Sequence, residues 1–133
     1  GSNNATNNNG TNDRYVYYLW KAVAGLSAFG VYQGTGGAWT SGNNGGAQDI
    51  GFKPKLVIVK NINTGSRNWV MHDSFRVASD TKTTNLYPNL TNGDDPHSTH
   101  TIVFDDNGFK YTNASTYTSS NESGDAHIYM AYA

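Results

Sequence analysis

The sequence has no cysteine and little charge, and each shortage excludes a class of protein. With 0 cysteines in 133 residues, it cannot build a disulfide scaffold or a cysteine-ligated zinc site. Charged residues make up 14% of the chain, against the usual ~25%. The net charge is −1, so no basic surface supports nucleic-acid binding. Neutral polar residues must therefore cover the surface, which suits an extracellular or virion protein and contacts with sugars.

The sequence also lacks the motifs of several functional classes. No apolar run approaches the ~20 residues of a membrane-spanning helix, so we expect no membrane insertion. No glycine-rich phosphate loop follows a strand and opens a helix, which leaves nucleotide binding unsupported. No pair of carboxylates stands out for glycoside cleavage. We therefore expect a protein that is not an enzyme and has no cofactor and no metal.

The sequence does contain several short patterns typical of β-strands. Aromatic residues make up 13% of the chain, with Tyr the commonest at 9, and no segment keeps a helical period. Runs rich in aromatic and β-branched residues alternate with Gly/Asn/Thr loops. The predicted strands span residues 15–21, 29–33, 55–60, 68–74, 101–104, 109–111 and 127–133. This pattern predicts an all-β fold, an antiparallel β-sandwich or a lectin-like jelly roll.

The chain divides into an arm and one module. Residues 1–14 are Asn- and Gly-rich with almost no apolar side chains, which indicates a flexible arm or linker. Residues 15–133 form the single β-sandwich module. Its residues 55–60 are apolar on both faces, which predicts a central strand covered on both sides. An Asn-Gly pair at Asn107-Gly108 predicts a hairpin.

The two ends of the chain resemble each other. Residues 9–17 align without gaps with residues 121–129, and Trp20 then aligns with Tyr132. The same strand type therefore occurs twice. The strand at 15–21 either belongs to a preceding module, is exchanged with a neighbouring module, or pairs within this one domain.

Several short motifs in one order carry a resemblance to a known family. The chain resembles the repeated β-rich modules of tail-fibre and other virion appendage proteins of tailed phages, especially marine phages. The matching motifs are Val23-Ala24-Gly25, Phe29-Gly30-Val31-Tyr32, Gly51-Phe52-Lys53-Pro54, the strand from Leu56 to Lys60, Asn68-Trp69, Asp73-Ser74-Phe75-Arg76, Asn107-Gly108-Phe109-Lys110, and Ser123-Gly124 through Ala131. The resemblance implies a virion location, outside the cell. It implies no catalytic residues.

One loop holds the candidate ligand surface. Residues 34–46 are Gly- and Asn-rich and contain Trp39, which either plugs the end of the core or stacks on a sugar ring. A metal site at His97 and His100 is the less favoured alternative to a solvated loop. The candidate ligand-binding residues are Trp39, Asn43, Asn44, Tyr87, His97 and His100.

The polar residues at the end of the predicted strand 68–74 support a structural prediction. His72, Asp73 and Ser74 contain the letters of a catalytic triad, but consecutive strand residues point to opposite faces and cannot assemble that geometry. We expect Asp73 instead to pair with Arg76 and anchor the turn that leaves the strand.

The expected function is attachment of a virion to the host surface, through a host glycan or other receptor. The alternative is a structural repeat or assembly module of a fibre or capsid decoration, joined by strand exchange. Other subunits of the same fibre are then the partners. Phage fibres are often trimeric, so a homotrimer is the expected oligomer by analogy.

Overall fold

The fold is all-β. The computed structural model describes residues 17–40, 43–44, 46–76, 83–93, 95–97, 101–112 and 118–133. These residues contain no helix, and hence none long and apolar enough to cross a membrane. The strands are β1 (Ser27–Gln33), β2 (Trp39–Thr40), β3 (Asn43–Asn44), β4 (Gln48–Asp49), β5 (Leu56–Asn61), β6 (Trp69–Asp73), β7 (Thr83–Asn85), β8 (Asp95–His97), β9 (Ile102–Asp105), β10 (Gly108–Tyr111) and β11 (Ala126–Tyr132).

The larger sheet is four-stranded and fully antiparallel, with strand order β1-β11-β5-β6. β5 and β6 form the predicted hairpin, with Val59 opposite Val70. The closing strand β11 lies between β1 and β5, so the two ends of the module meet in one sheet.

The smaller sheet is three-stranded, with order β4-β10-β9. β9 and β10 form the hairpin predicted from Asn107-Gly108. No non-glycine residue in the described chain has a positive φ, so the turn is not the type that Asn-Gly usually serves. Asp105 shapes it instead, because its Oδ1 accepts the N–H groups of Asn107 (3.1 Å) and Gly108 (2.9 Å).

The core lies between the two sheets. Alternate residues of β5, Val57 and Val59, are fully buried and face Ile102, Phe104, Phe109 and Tyr111 of the smaller sheet within one apolar cluster. The arrangement is consistent with a two-sheet β-sandwich, while a jelly-roll topology stays a prediction. Aromatic rings supply much of the core, as the Tyr-rich composition predicts.

The structure confirms most predicted strands and corrects one. The six predictions from residue 29 onward correspond to β1, β5, β6, β9, β10 and β11. Residues 17–21 of the predicted strand 15–21 form no strand, because no strand of the described residues pairs with them; residues 15 and 16 lie outside the described chain. The short strands β2, β3, β4, β7 and β8 were not predicted, since their two or three residues show no period.

Candidate functional surfaces

The loop that follows β1 is fixed at its base by one buried asparagine. The Oδ1 of Asn121 accepts the N–H of Thr35 at 2.9 Å, and its Nδ2 donates to the carbonyl of Gly37 at 3.0 Å. Beyond this anchor, β2 and β3 pair with Trp39 opposite Asn44. The backbone therefore brings together Trp39, Asn43 and Asn44 in one small hairpin, as the ligand-surface hypothesis requires.

Of the other candidate ligand residues, the structure describes the side chain of Tyr87 alone. Tyr87 is only 7% exposed, and its hydroxyl donates to Asp95 Oδ2 at 2.9 Å. Burial leaves this ring no free face for a sugar. His97 ends β8, while its side chain and the whole of His100 lie outside the described part of the structure.

The predicted Asp73–Arg76 pair is present. Arg76 Nη1 donates to Asp73 Oδ2, and Asp73 Oδ1 accepts the backbone N–H groups of Phe75 (3.0 Å) and Arg76 (3.1 Å). This carboxylate thus closes the turn that leaves β6. His72 is buried beside Tyr111 on the opposite face of the strand, which excludes a local triad.

Two polar aromatic groups lie in the core where β1 meets β11. The hydroxyl of Tyr32 donates to the carbonyl of Ser120, and burial raises the pKa of Tyr32 well above its ordinary value. His127 stacks on this ring, with centroids 5.1 Å apart at 16°. Burial lowers the pKa of His127, outweighing the opposite effect of Asp125. These groups are enclosed, so their role is packing.

The outer face of the four-stranded sheet is mostly apolar and only partly buried, and it also carries Gln33, Lys60 and Asp73. Side chains alternate across the strands, and those turned away from the core are partly or largely exposed, with Val31 at 61%. This outer apolar face consists of Phe29 and Val31 of β1, Leu56 and Ile58 of β5, Trp69 and Met71 of β6, and Ile128, Met130 and Tyr132 of β11. β5 is thus fully buried on the core side and only partly buried on this face, at Leu56 and Ile58.

A second apolar surface lies just before β1. Residues 17–21, here called the aromatic segment, expose four large side chains: Tyr17 (79%), Tyr18 (72%), Leu19 (92%) and Trp20 (58%). The rings of Tyr18 and Trp20 stack at 6.1 Å and 25°. Their aromatic and β-branched composition predicted a strand, but the composition could not show that residues 17–21 form none.

The described residues offer no metal centre. Within them, no group of three or more His, Cys, Asp or Glu side chains could hold a metal ion. Asp105, at the start of the β9–β10 turn, binds Lys110 at 3.0 Å instead. What the exposed surfaces can do chemically is bind through apolar contact and hydrogen bonds.

Comparison with known proteins places the chain in a family without assigning an activity. No curated protein and no solved structure matches it. One family model, described as a domain of unknown function (DUF7483), matches residues 1–133. Because this match spans the whole chain, the protein belongs to the DUF7483 family.

Proposed function

We propose that the protein is a non-catalytic assembly module of a virion appendage, such as a phage tail fibre, that joins other subunits through its outer apolar face. The face itself is the main support, because exposing an apolar sheet surface to water costs free energy that burial against another subunit recovers. The resemblance of the sequence to phage appendage modules adds support for the location, outside the cell.

The size of the face fits a contact surface. Four strands ~4.8 Å apart, each about six residues long at ~3.3 Å per residue, cover on the order of 400 Å². Apolar patches of roughly 300–600 Å² are the largest on typical monomers and are often functional. Phe29 and Tyr132 already pack edge to face there, with centroids 5.8 Å apart, so the surface is preformed.

A matched pair of substitutions tests the assembly function. Ile58→Thr places a hydroxyl in the middle of the outer apolar face and keeps a β-branched side chain. Ile62→Thr makes the same change at an exposed position beyond β5. We expect the unsubstituted chain to form oligomers, a trimer by analogy with phage fibres, and Ile58→Thr to weaken association about tenfold, or ~1.4 kcal/mol.

Sedimentation velocity over a range of concentrations measures this difference. Ile62→Thr is expected to associate like the unsubstituted chain. Two outcomes contradict the proposal. One is an unsubstituted chain that stays monomeric up to roughly hundreds of micromolar, a concentration at which even weak interfaces form. The other is equal association by both variants.

Attachment to a host-surface glycan is the second candidate. The β2–β3 hairpin favours it, because its backbone pairing sets Trp39 opposite Asn44, and aromatic and amide residues are the types that usually recognise sugars. On a glycan array, Trp39→Ala should abolish binding while circular dichroism stays unchanged. Trp20→Ala serves as the control and should still bind; unchanged binding by Trp39→Ala would eliminate this hairpin as the site.

A further inference from the structure

Two Asn-Gly pairs lie wholly within the part of the chain that the structure describes. They are Asn92-Gly93 and Asn107-Gly108; the pairs at positions 9–10 and 44–45 lie at least partly outside it. An Asn-Gly pair is chemically labile, because the backbone nitrogen of Gly can attack the side-chain amide of Asn and no Cβ blocks that close approach. The surrounding structure decides whether the attack takes place.

The backbone of Asn107-Gly108 is held on both sides of its peptide bond. The carbonyl of Asn107 accepts the N–H groups of Ile50 (2.8 Å) and Gly51 (3.0 Å), and the N–H of Gly108 donates to Asp105 Oδ1 at 2.9 Å. Gly108 is also buried and begins β10. Its nitrogen cannot turn towards the Asn107 side chain unless these hydrogen bonds break.

The surroundings of Asn92-Gly93 are the opposite. Both residues are exposed and lie between β7 and β8, outside any strand. A Cβ atom built at Gly93 would meet nothing within 4 Å, so there is space for the backbone to turn. Exposed loops of this kind open locally at little cost in free energy. The Gly93 nitrogen can therefore reach Cγ of Asn92, and water reaches the product.

We infer that Asn92 is a site of spontaneous covalent modification in the folded protein, whereas Asn107 is protected. The backbone nitrogen of Gly93 loses its proton to water or hydroxide and bonds to Cγ of Asn92, and the side-chain nitrogen leaves as ammonia. Water then opens the resulting succinimide ring at either of its carbonyl carbons, which gives aspartate or isoaspartate. The residue thus gains water and loses ammonia. This modification does not depend on the proposed assembly function.

The modified site lies next to the segment that covers the β6 edge of the larger sheet. On β6, Met71 exchanges two backbone hydrogen bonds with Leu86, at 2.8 and 3.1 Å, and the N–H of Trp69 donates to Asn89 Oδ1 at 2.9 Å. Asn92 follows in the same loop. Its conversion adds a carboxylate there, which makes the net charge of −1 more negative by one unit, and isoaspartate also lengthens the backbone by a methylene group.

Peptide mapping by mass spectrometry, after incubation at mildly alkaline pH, measures conversion at both sites in one sample. In the folded chain, Asn92 should convert at least about tenfold faster than Asn107, because reaction at Asn107 first requires local opening. In urea that unfolds the chain, the two rates should become similar, because Gly follows Asn at both sites. The inference is overturned if Asn92 does not convert, if Asn107 converts equally fast in the folded chain, or if urea leaves the ratio unchanged.

A pair of glycine substitutions tests the mechanism. Gly93→Ala places a methyl group beside the attacking nitrogen, where open space leaves the fold undisturbed, and should slow conversion of Asn92 to about a tenth or less. Gly65→Ala makes the same change at another open position and should leave that rate as it is in the unsubstituted chain. Equal conversion of Asn92 in the two variants would rule out attack by the Gly93 nitrogen.

Discussion

At the scale of single residues, the interior of this protein is polar as well as aromatic. Asn61 is fully buried: its Nδ2 donates to Asp125 Oδ2 at 2.8 Å, and its Oδ1 accepts the N–H groups of Asn63 and Thr64. One amide thus fixes the turn after β5 against the start of β11. A buried amide of this kind stabilises the folded state only while all of its hydrogen-bond partners are present.

His127 gives the protein a pH dependence. Burial lowers its pKa below the ordinary 6.5, so the unfolded chain binds this proton more readily than the folded one. The free energy of unfolding should be highest above about pH 7 and should decrease as the pH falls below 6.5.

An NMR titration of the His127 ring, with urea denaturation at pH 7 and pH 5, measures this effect. The neutral variant His127→Gln should show a smaller difference between the two pH values. A ring that titrates at or above 6.5 in the folded protein, or an unchanged difference in the variant, contradicts the prediction.

At the scale of elements, close approach rather than turn type explains Gly108. A Cβ atom built at Gly108 would lie 1.8 Å from the carbonyl oxygen of Gln48 in β4. Gly108→Ala should therefore force β4 away from β10 and lower the free energy of unfolding by at least ~2 kcal/mol, as overpacking does.

Urea denaturation with Gly65→Ala as control checks this expectation. A Cβ at Gly65 would meet nothing within 4 Å, so that variant should stay within ~0.5 kcal/mol of the unsubstituted chain. Equal stability of the two variants would show that β4 can move without cost.

The same elements show what a sequence can predict. Short runs of β-branched and aromatic residues identified β5 and β6, whereas the burial of every second residue is seen only in the structure. The aromatic segment has the same local pattern and forms no strand, because a strand also needs a neighbour that local sequence does not specify. Trp39 was identifiable as an aromatic residue in a polar loop, but its pairing with Asn44 depends on a two-residue strand without periodicity.

At the scale of the whole molecule, the two outer surfaces of the sandwich differ. The smaller sheet turns Val103 and Lys110 outward and ends in the charged turn at Asp105. The larger sheet turns its outer apolar face outward. The sequence predicted that β5 is apolar on both sides, but whether other parts of the chain cover the second side depends on tertiary arrangement and could not be read from the pattern.

One edge of the larger sheet is occupied from within the chain. On β6, Met71 exchanges two backbone hydrogen bonds with Leu86, so the β6 edge of one copy cannot align with the β1 edge of the next to continue one sheet across many molecules. Covering an edge in this way is how natural β proteins avoid edge-to-edge aggregation. The pairing of Leu86 with β6 therefore protects the protein from fibrillar growth.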